Sequence, residues 1–346
     1  MKAGVLENKQ EIRYKQVPTP HLNYDQVLLQ VKAVSICGSD IIRFSKGHRT
    51  YPIILGHECA GVVAEVGAAV SPSLIGKHAA VIPVIPCFAC EPCARGYYSA
   101  CHQYSFIGTR QNGGFADYIV MLERNLLILP DTIPFEQAAL IEPATVARHI
   151  LDLGEFHAGQ QVIVLGAGSV GLMAVQWLRI LGAGLIVCTD LIEDNLRAAK
   201  MLGAHVALNP KETDVNARVK ELCGDGVDLA LEVAGSPQTL AQTIRVTRPR
   251  GIVVCGGNQP ADKTLPMSFI EELMRKELRL VGCFMSYSAP FPGHEWSDSV
   301  QMIQTGQLNL GEMISHRFPL SQIEKVFGDL AARTLPHRKI VLNPSG

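Results

Sequence analysis

The sequence predicts an α/β protein that combines an irregular, β-rich domain with a doubly wound parallel sheet. Residues 1 to about 145 contain short apolar runs separated by Gly and Pro, which is typical of irregular β structure. From about residue 160, short continuous apolar runs alternate with helical patterns, as in sheets buried on both faces by helices. The length of 346 residues is sufficient for two such domains.

In the first part of the chain, the apolar runs are predicted to be strands. They are Gln26–Ala33, Gly61–Val66, His78–Val84 and Ala116–Met121. After residue 294 the sequence returns to mixed character, and Ser321 with Glu324 has the spacing of a capping box that opens a final helix. We therefore predict one domain at residues 1–147 with 286–346, and a second at 148–285 inserted between its two parts.

In the second domain, strands and helices are predicted to alternate. The strands are Val162–Leu165, Leu185–Asp190, Val227–Val233, Gly251–Cys255 and Arg279–Phe284. The helices are Ser169–Leu181, Glu193–Met201, Asp214–Leu222 and Pro237–Val246. Strands connected through helices pair in parallel, so these elements predict a single parallel sheet.

The composition excludes several classes of partner. The 31 basic and 32 acidic residues nearly balance, so no large basic field is available for nucleic acid or an anionic membrane. No apolar run approaches the roughly 20 residues of a membrane span. The N-terminus does not have the pattern of a secretion signal, and the cysteines outside one cluster are scattered singly, so we expect a cytoplasmic location.

That cluster consists of Cys87, Cys90, Cys93 and Cys101, within fifteen residues. Four thiolates on one loop can close a tetrahedral shell around Zn²⁺ without an open position, which is typical of a structural site. A disulfide pair is not expected in a reducing cytosol, and the last gap is longer than in the usual ferredoxin pattern. We predict a structural zinc lobe at about residues 86–102, without a run long enough for a helix.

A glycine motif follows the first predicted strand of the second domain. Gly166, Gly168 and Gly171 have the G-x-G-x-x-G spacing, with Val170 before the last glycine, and a helix is predicted to start here. Strand, glycine turn and helix together are the context of a Rossmann dinucleotide site. The turn residues are expected to let the pyrophosphate approach the backbone N–H groups at the start of the helix.

Three further residues are candidates for cofactor contacts. Asp190 ends the next strand, nineteen residues after Gly171, and is expected to accept hydrogen bonds from the adenosine ribose. Its negative charge would repel a 2′-phosphate, so we expect NAD rather than NADP. Ala234 and Gly256 follow later strands at the edge where ligands bind in such sheets, although a simple turn is the alternative for both.

Further metal ligands are dispersed along the first domain. Cys37 precedes Gly-Ser-Asp, His57 precedes Glu58, and Glu142 precedes a proline. A thiolate, an imidazole and a carboxylate are all zinc ligands, and three of them with an open position make a catalytic site. Spacing alone does not establish such a site, because a lone histidine is more often structural. Glu58 as a buried structural carboxylate and Asp40 as a helix cap remain alternatives.

Together, these motifs resemble those of the zinc-dependent medium-chain alcohol and polyol dehydrogenases over essentially the whole chain. The matching segments are the Cys37 tetrapeptide, Gly56-His57-Glu58, the four-cysteine lobe, Ile141-Glu142-Pro143, the glycine motif and His316-Arg317-Phe318-Pro319. The resemblance implies a GroES-like catalytic domain, a Rossmann domain that binds NAD, and a homodimer or homotetramer with strand pairing across the nucleotide domains.

The resemblance also implies a catalytic zinc, and its expected ligands are Cys37, His57 and Glu142. Glu58 would stand close behind as an alternative or water-mediated ligand, Asp40 would orient the histidine, and Ser39 would pass the alcohol proton outward. Zinc lowers the pKa of bound water from about 15.7 to about 7, which corresponds to roughly 12 kcal/mol. One hydrogen bond to a charged group contributes about 1.5–3 kcal/mol. The metal is therefore expected to activate the alcohol, and the serine only to relay its proton.

Two segments resemble the branch of the family that oxidises sugar-alcohol phosphates: residues 104–110 with 113–115, and residues 285–296. Relative to sorbitol dehydrogenases, Met285 and Ser286 replace an Arg-Tyr pair, and Arg43 replaces a tyrosine. We expect Arg43 and Lys46 to hold a terminal phosphate, with a solvated basic turn as the alternative. The implied reaction is the oxidation of galactitol 1-phosphate to a keto-hexose phosphate.

Other functions remain open at this stage. An unphosphorylated polyol such as sorbitol, or L-threonine, is an alternative substrate, because the enzymes for both share most of these motifs. A non-catalytic nucleotide-binding protein is a third possibility, but relatives without zinc lack the ligands that Cys37, His57 and Glu142 supply here. Another divalent metal is also possible at the open site, since ligand type alone does not enforce zinc.

Overall fold

The computed structural model describes residues 1–259, 264–265 and 267–344. The strands are β1 (Lys2–Asn8), β2 (Glu11–Gln16), β3 (Gln26–Ser35), β4 (Ile53–Ile54), β5 (Glu58–Val66), β6 (His78–Val81), β7 (Val84–Ile85), β8 (Ser105–Phe106), β9 (Tyr118–Leu122), β10 (Leu126–Leu129), β11 (Gln161–Leu165), β12 (Leu185–Thr189), β13 (Val206–Leu208), β14 (Val227–Glu232), β15 (Thr247–Cys255), β16 (Arg279–Gly282), β17 (Ile314–Pro319) and β18 (Lys339–Asn343). The helices are α1 (Gly38–Lys46), α2 (Glu91–Ala94), α3 (Phe135–Ala138), α4 (Ile141–Leu153), α5 (Ser169–Ile180), α6 (Glu193–Leu202), α7 (Val215–Cys223), α8 (Pro237–Val246), α9 (Ser268–Arg275), α10 (His294–Gln304) and α11 (Ile323–Ala332). Within the described ranges, none of these helices is long and apolar enough to cross a membrane.

The chain forms two compact units, Met1–Glu142 with Tyr287–Gly346, and Pro143–Ser286. The first unit is β-rich. Its large sheet has the order β10-β6-β5-β3-β18-β17, with β9 also paired to β3, and a smaller sheet has the order β2-β1-β4. Strands β17 and β18 follow the second unit in sequence, so the chain returns to the sheet that it left. Apolar side chains that include Leu29, Val34, Phe115 and Phe327 form the core of this unit.

The second unit contains one parallel sheet with the order β13-β12-β11-β14-β15-β16. All five strand pairings are parallel. Residues 162–165 in the central strand β11 are fully buried, which explains their continuous apolar pattern. The strand order corresponds to 3-2-1-4-5-6 of a doubly wound nucleotide-binding sheet. The predicted α/β class, with a β-rich domain and a parallel sheet, is confirmed.

Differences from the predicted elements of the second unit are small. Strand β15 begins at Thr247 rather than Gly251, and β16 ends at Gly282 rather than Phe284. Strand β13 and helix α9 were not predicted. The three residues of β13 are too few for a periodic signal, and pairing with β12 is what defines them as a strand.

Two local predictions in the first unit are wrong. The four-cysteine segment contains the one-turn helix α2, which Pro92 helps to start because its fixed φ suits a first helical turn. Ser321 does not cap α11, since the N-cap is Gln322 and makes no side-chain hydrogen bond. Glu324 instead accepts a hydrogen bond of 3.0 Å from the backbone N–H of Tyr14. A distant strand thus provides the partner that the local pattern assigned to the helix start.

Candidate metal and dinucleotide sites

The four cysteines of the predicted lobe lie side by side. The Sγ atom of Cys90 is 3.5 Å from that of Cys93 and 3.9 Å from that of Cys101, and the Sγ atoms of Cys101 and Cys87 are 3.4 Å apart. Four sulfurs bound to one Zn²⁺ at about 2.3 Å would be about 3.8 Å apart. A disulfide would require about 2.05 Å. The donor set and the spacing therefore fit zinc.

Backbone groups favour the thiolate form at part of this lobe. N–H groups of Cys93 and His102 lower the pKa of Cys90 to about 6. The pKa of Cys87 is lowered in the same way by the N–H groups of Ala89 and Cys90. Burial raises the pKa of Cys93 to about 12. Because a zinc ligand must be a thiolate, the donated hydrogen bonds prepare the loop to hold a cation.

A second cluster brings together ligand atoms of Cys37, His57 and Glu58, which all lie within 4.8 Å of one another. Cys37 is the N-cap of α1, two residues after the end of β3, while Glu58 is the first residue of β5 and His57 directly precedes it. The antiparallel pairing of β3 with β5 sets Ser35 opposite Glu58, so the two segments meet here. His57 and Glu58 are buried and Cys37 is partly buried, and a thiolate, an imidazole and a carboxylate together fit zinc.

Asp40 caps α1 and also lies beside His57. Its Oδ2 accepts a hydrogen bond of 3.2 Å from the backbone N–H of Cys37, which closes a capping box at the start of α1. Its Oδ1 lies 3.6 Å from His57 Nδ1, which leaves Nε2 as the ring nitrogen available to a metal. Burial alone would lower the pKa of His57, but the charges of Asp40 and Cys37 together raise it well above its usual value.

Glu58 is held by a buried lysine that sequence reasoning missed. Lys339 Nζ donates to both carboxylate oxygens, at 2.7 and 2.5 Å, and Ser35 Oγ donates to one of them. The side chains of Lys339 and Glu58 are 3% and 1% exposed. Such a pair is stable only because each charge neutralises the other. Lys339 is a charged residue at the start of the apolar run of β18, and this was the available signal of a buried ion pair. The sequence could not identify its partner Glu58, which lies 281 residues away.

Glu142 and Ser39 are the other two residues expected at the catalytic zinc. Glu142 lies in the first turn of α4 and is not one of the three clustered ligands. Burial raises the pKa of Glu142 to about 7, and the positive charges of His57 and Lys339 partly oppose this rise. Ser39 Oγ donates a hydrogen bond of 3.2 Å to Cys37 Sγ, which places its hydroxyl beside a metal ligand.

The residues expected to hold a phosphate both lie on α1. Arg43 is half-buried, and its Nη1 is 3.8 Å from Asp40 Oδ1. Lys46, three residues later, is exposed to solvent. Residues three apart on a helix share one side, so the two cations lie near each other, with Arg43 closer to the metal cluster.

The glycine turn of the second unit has the geometry that a dinucleotide requires. Gly166 has φ +106°, and a Cβ there would lie 2.8 Å from the backbone nitrogen of Ala234. A Cβ at Gly171 would lie 1.8 Å from the carbonyl oxygen of Gly166. At Gly168 a Cβ would meet nothing within 4 Å, and no side chain caps the start of α5. This open space in front of a helix N-terminus fits a pyrophosphate.

Asp190 helps to shape this turn. Its Oδ2 accepts a hydrogen bond of 2.7 Å from the N–H of Ala167, between the first two glycines, and its Oδ1 accepts one of 2.9 Å from Ile192. Asn195 Nδ2 also donates to Oδ1, at 3.4 Å, so Oδ2 is the oxygen with capacity left for a ribose hydroxyl. Asp190, which directly follows β12, therefore holds the glycine turn through its hydrogen bond with Ala167.

Ala234 and Gly256 follow β14 and β15, where the sequence places them. Buried Glu232, which was not predicted, accepts hydrogen bonds from the backbone N–H groups of Ala234 and Gly235 at 3.1 and 2.8 Å. The N–H of Gly256 donates to the carbonyl oxygen of Glu232 at 2.8 Å. These backbone donors are thus already used within the turns.

Comparison with known proteins gives two family matches. Residues 23–131 match the alcohol dehydrogenase GroES-like domain, and residues 169–305 match the zinc-binding dehydrogenase family. The chain is 34% identical to galactitol 1-phosphate 5-dehydrogenase of Escherichia coli K12 over 99% of this chain and 100% of that protein. It is also 34% identical to sorbitol dehydrogenase of Bacillus subtilis over 94% of this chain and 92% of that protein.

Solved structures extend the likeness to three dimensions. The crystal structure of galactitol-1-phosphate dehydrogenase from Escherichia coli superposes with a TM-score of 0.94 at 34% identity, over 99% of this chain and 100% of that one. A zinc-binding dehydrogenase from Sinorhizobium meliloti bound to NADP gives 0.92 at 30% identity, over 99% of both chains. The chain therefore belongs to the zinc-binding alcohol and polyol dehydrogenase family, with zinc and a nicotinamide dinucleotide as its cofactors.

Proposed function

We propose that the chain oxidises a secondary hydroxyl of a sugar-alcohol phosphate and transfers the hydride to NAD. Galactitol 1-phosphate is the candidate substrate and a keto-hexose phosphate the product. The observation that carries this proposal is the cluster of partly buried Cys37 with buried His57 and Glu58, in a chain with full-length similarity to galactitol 1-phosphate 5-dehydrogenase. Zinc held there would supply the Lewis acidity that makes a bound hydroxyl acidic at neutral pH.

Glu142 is our candidate for the third protein ligand. Both oxygens of Glu58 already accept hydrogen bonds from Lys339, and Ser35 adds another, so ligation by Glu58 would disrupt a buried ion pair. Glu142 lies close enough to His57 and Glu58 for their charges to act on its carboxyl. Glu58 would then lie close to the ligands without binding the metal directly, and its negative charge would act on the site, as the family resemblance implies.

Ser39 is our candidate for the first acceptor of the substrate proton. Its hydroxyl lies 3.2 Å from the sulfur of Cys37, on the exposed side of the ligand set, since Gly38 beside it is exposed. An alcohol bound beside Cys37 would release its proton towards this hydroxyl, which would pass its own proton outward. A Ser39→Ala variant should therefore lose part of the rate and keep its zinc.

The preference for NAD follows from Asp190. Its carboxylate lies next to the glycine turn, hydrogen-bonded to Ala167, where a ribose would follow the pyrophosphate. A 2′-phosphate on that ribose would meet this negative charge. We expect NAD to be used more efficiently than NADP, and Asp190→Ala to reduce the difference.

Phosphate recognition is assigned to Arg43 and Lys46. Arg43 directs one guanidinium nitrogen towards Asp40, and its remaining donors and the exposed Lys46 would face a phosphate that approaches α1 from solvent. A hydrogen bond to a charged group contributes about 1.5–3 kcal/mol, so each contact would change affinity by roughly tenfold or more.

A substrate panel tests the proposal directly. Galactitol 1-phosphate, galactitol, sorbitol and L-threonine would be assayed with NAD and with NADP by the absorbance of the reduced cofactor. We expect the highest kcat/KM for galactitol 1-phosphate with NAD, and a KM for it about tenfold higher in Lys46→Met. Arg49→Met, which removes an exposed charge near α1, is the matched control. Equal efficiency on galactitol and its phosphate would refute phosphate recognition.

Sorbitol oxidation is the second candidate, because the similarity to sorbitol dehydrogenase of Bacillus subtilis is also 34%. In that case Lys46→Met would leave the KM for sorbitol unchanged, and the phosphorylated polyol would be the poorer substrate. The same panel therefore separates the two candidates.

We also propose a homo-oligomer in which β16 pairs with its counterpart in a second copy. Strand β16 is the last strand of the parallel sheet, and Arg279 and Leu280 on it are exposed. Unpaired edge strands of this kind readily pair with another strand. Light scattering should give a dimer or tetramer, and Val281→Pro on this edge should produce monomers. A wild-type monomer would contradict the proposal.

A further inference from the structure

A continuous group of aromatic rings connects the four-cysteine lobe with α10. Phe88 and Tyr98, from the lobe, have ring centroids 5.4 and 5.3 Å from that of Phe291. The ring of Tyr287 lies between those of Phe291 and Trp296, at 5.9 and 5.8 Å, with interplanar angles of 15° and 22°. These five residues, which we call the aromatic stack, fix the ring of Tyr287 from both faces.

The hydroxyl of Tyr287 reaches strand β7. The side chain is buried, and its oxygen accepts a hydrogen bond of 3.3 Å from the backbone N–H of Val84. On the other side, Asn125 Nδ2 donates to the carbonyl oxygen of Val84 at 2.7 Å. Burial raises the pKa of Tyr287 well above its usual value, and the charge of Glu142 acts in the same direction. The phenol therefore stays neutral, and it holds β7 in place together with Asn125.

Strand β7 in turn supports the histidine of the metal cluster. It pairs with β8, and Val84 lies opposite Phe106 in that pairing. The ring of Phe106 packs edge-on against the imidazole of His57, with centroids 5.4 Å apart and an interplanar angle of 69°. A path of direct contacts thus runs from Phe291 through Tyr287, Val84 and Phe106 to His57.

We propose that the aromatic stack positions His57 for metal binding, and that Tyr287 is the positioning residue that links the four-cysteine lobe to the Cys37–His57–Glu58 cluster. Asp40 holds His57 from its Nδ1 side at a distance of 3.6 Å, which is too long for a strong hydrogen bond. Packing by Phe106 therefore has a share in fixing the ring. The inference rests on zinc binding at this cluster, and it does not depend on which alcohol is the substrate.

The experiment compares Tyr287→Phe with Tyr97→Phe. The first substitution removes the hydroxyl that holds β7 and keeps the ring. The second removes a hydroxyl from an exposed ring of the four-cysteine lobe that is not part of the aromatic stack. In each purified zinc-loaded variant, the rate at which the first zinc passes to a chelator would be measured, together with kcat and the thermal midpoint.

We expect Tyr287→Phe to release its first zinc about 3- to 10-fold faster and to lower kcat by a similar factor, as the loss of one hydrogen bond implies. Tyr97→Phe should behave like wild type. Cobalt-substituted Tyr287→Phe should show an altered visible spectrum, because the geometry at His57 changes. A lower thermal midpoint with unchanged zinc release and spectrum would overturn the proposal, since it would show a purely structural role.

A second variant tests the link to the lobe. Phe291→Leu separates Phe88 and Tyr98 from Tyr287 without touching β7. It should accelerate zinc release from the cluster in the same direction as Tyr287→Phe. If Phe291→Leu matches wild type, the coupling to the four-cysteine lobe is refuted. Zinc release is measured without substrate, so a failure of the proposed substrate assignment would not affect this result.

Discussion

The two metal clusters of the first unit differ in how their ligands come together. In the four-cysteine lobe, all ligands lie between Cys87 and Cys101, and a short loop with one helical turn is enough to assemble them. The ligands of the other cluster come from Cys37, which follows β3, and from residues at the start of β5. This second cluster exists only when the antiparallel pairing of β3 and β5 has formed.

The clusters also differ in the groups that surround them. Backbone N–H groups donate to the sulfurs of the lobe, and Cys90 consequently has a lowered pKa of about 6. Around the second cluster, the neighbouring groups are charged side chains. Asp40 lies near His57, and Lys339 forms an ion pair with Glu58. The comparison teaches that the four-cysteine lobe relies on its local backbone, whereas the Cys37–His57–Glu58 cluster, the proposed reactive cluster, depends on distant charged partners and should respond more strongly to substitution and pH.

The largest effect is expected from His57→Ala. It removes a ligand from the reactive cluster, and with it the Lewis acid, which contributes several kcal/mol to catalysis. We expect kcat/KM to fall by about a thousandfold or more, and one zinc per chain to be lost. His102→Ala is the control, because its side chain is exposed beside the lobe. Retention of most of the activity in His57→Ala would exclude the cluster as the reactive site.

Cys93→Ser should affect stability more than chemistry. It opens the four-cysteine shell, and loss of a structural metal is among the substitutions that destabilise by about 4 kcal/mol or more. Thermal unfolding monitored with zinc content should show a lower midpoint and the loss of the lobe's zinc. Cys223→Ser, at a half-buried thiol in neither cluster, should leave both unchanged. Equal midpoints in the two variants would contradict a structural role for the lobe.

Lys339→Met leaves the buried charge of Glu58 unpaired. Removal of one partner from a buried ion pair typically costs about 3–5 kcal/mol, so the free energy of unfolding should fall by that amount. The double variant Glu58→Gln, Lys339→Met should recover part of the loss, because neither charge remains. Chemical denaturation measures the free energy of unfolding of the single and the double variant. A cost below about 1 kcal/mol for Lys339→Met, similar to that of a surface charge, would show that the pair is not stabilising.

The last prediction concerns the pH dependence of zinc binding at the proposed reactive cluster. Burial raises the pKa of Glu142 to about 7, and the charges of Asp40 and Cys37 outweigh burial and raise that of His57. As proposed zinc ligands, both groups would have to lose a proton, so protons compete with zinc as the pH falls through their raised pKa values. Affinity should decrease by about tenfold per pH unit for each proton displaced. Titration of the more weakly held zinc at pH 6 and pH 8 checks this, and equal affinities would contradict it.

The sequence predicts the fold and the lobe well because both depend on local patterns. Buried parallel strands such as Val162–Leu165 form continuous apolar runs, and the cysteine spacing is visible within one loop. The reactive cluster could be assigned only through the family resemblance, since Cys37 and His57 are brought together by strand pairing. Lys339 was missed and the Ser321–Glu324 capping box was wrong for the same reason: in both cases a distant partner decides the side chain's role.

Anomalous diffraction at the zinc edge tests the central claim most directly. Crystals of the zinc-loaded protein should give two peaks per chain, one among Cys87, Cys90, Cys93 and Cys101, and one bound to Cys37 and His57 with a glutamate. A single peak at the lobe, with Cys37 and His57 bound to no ion, would contradict the account.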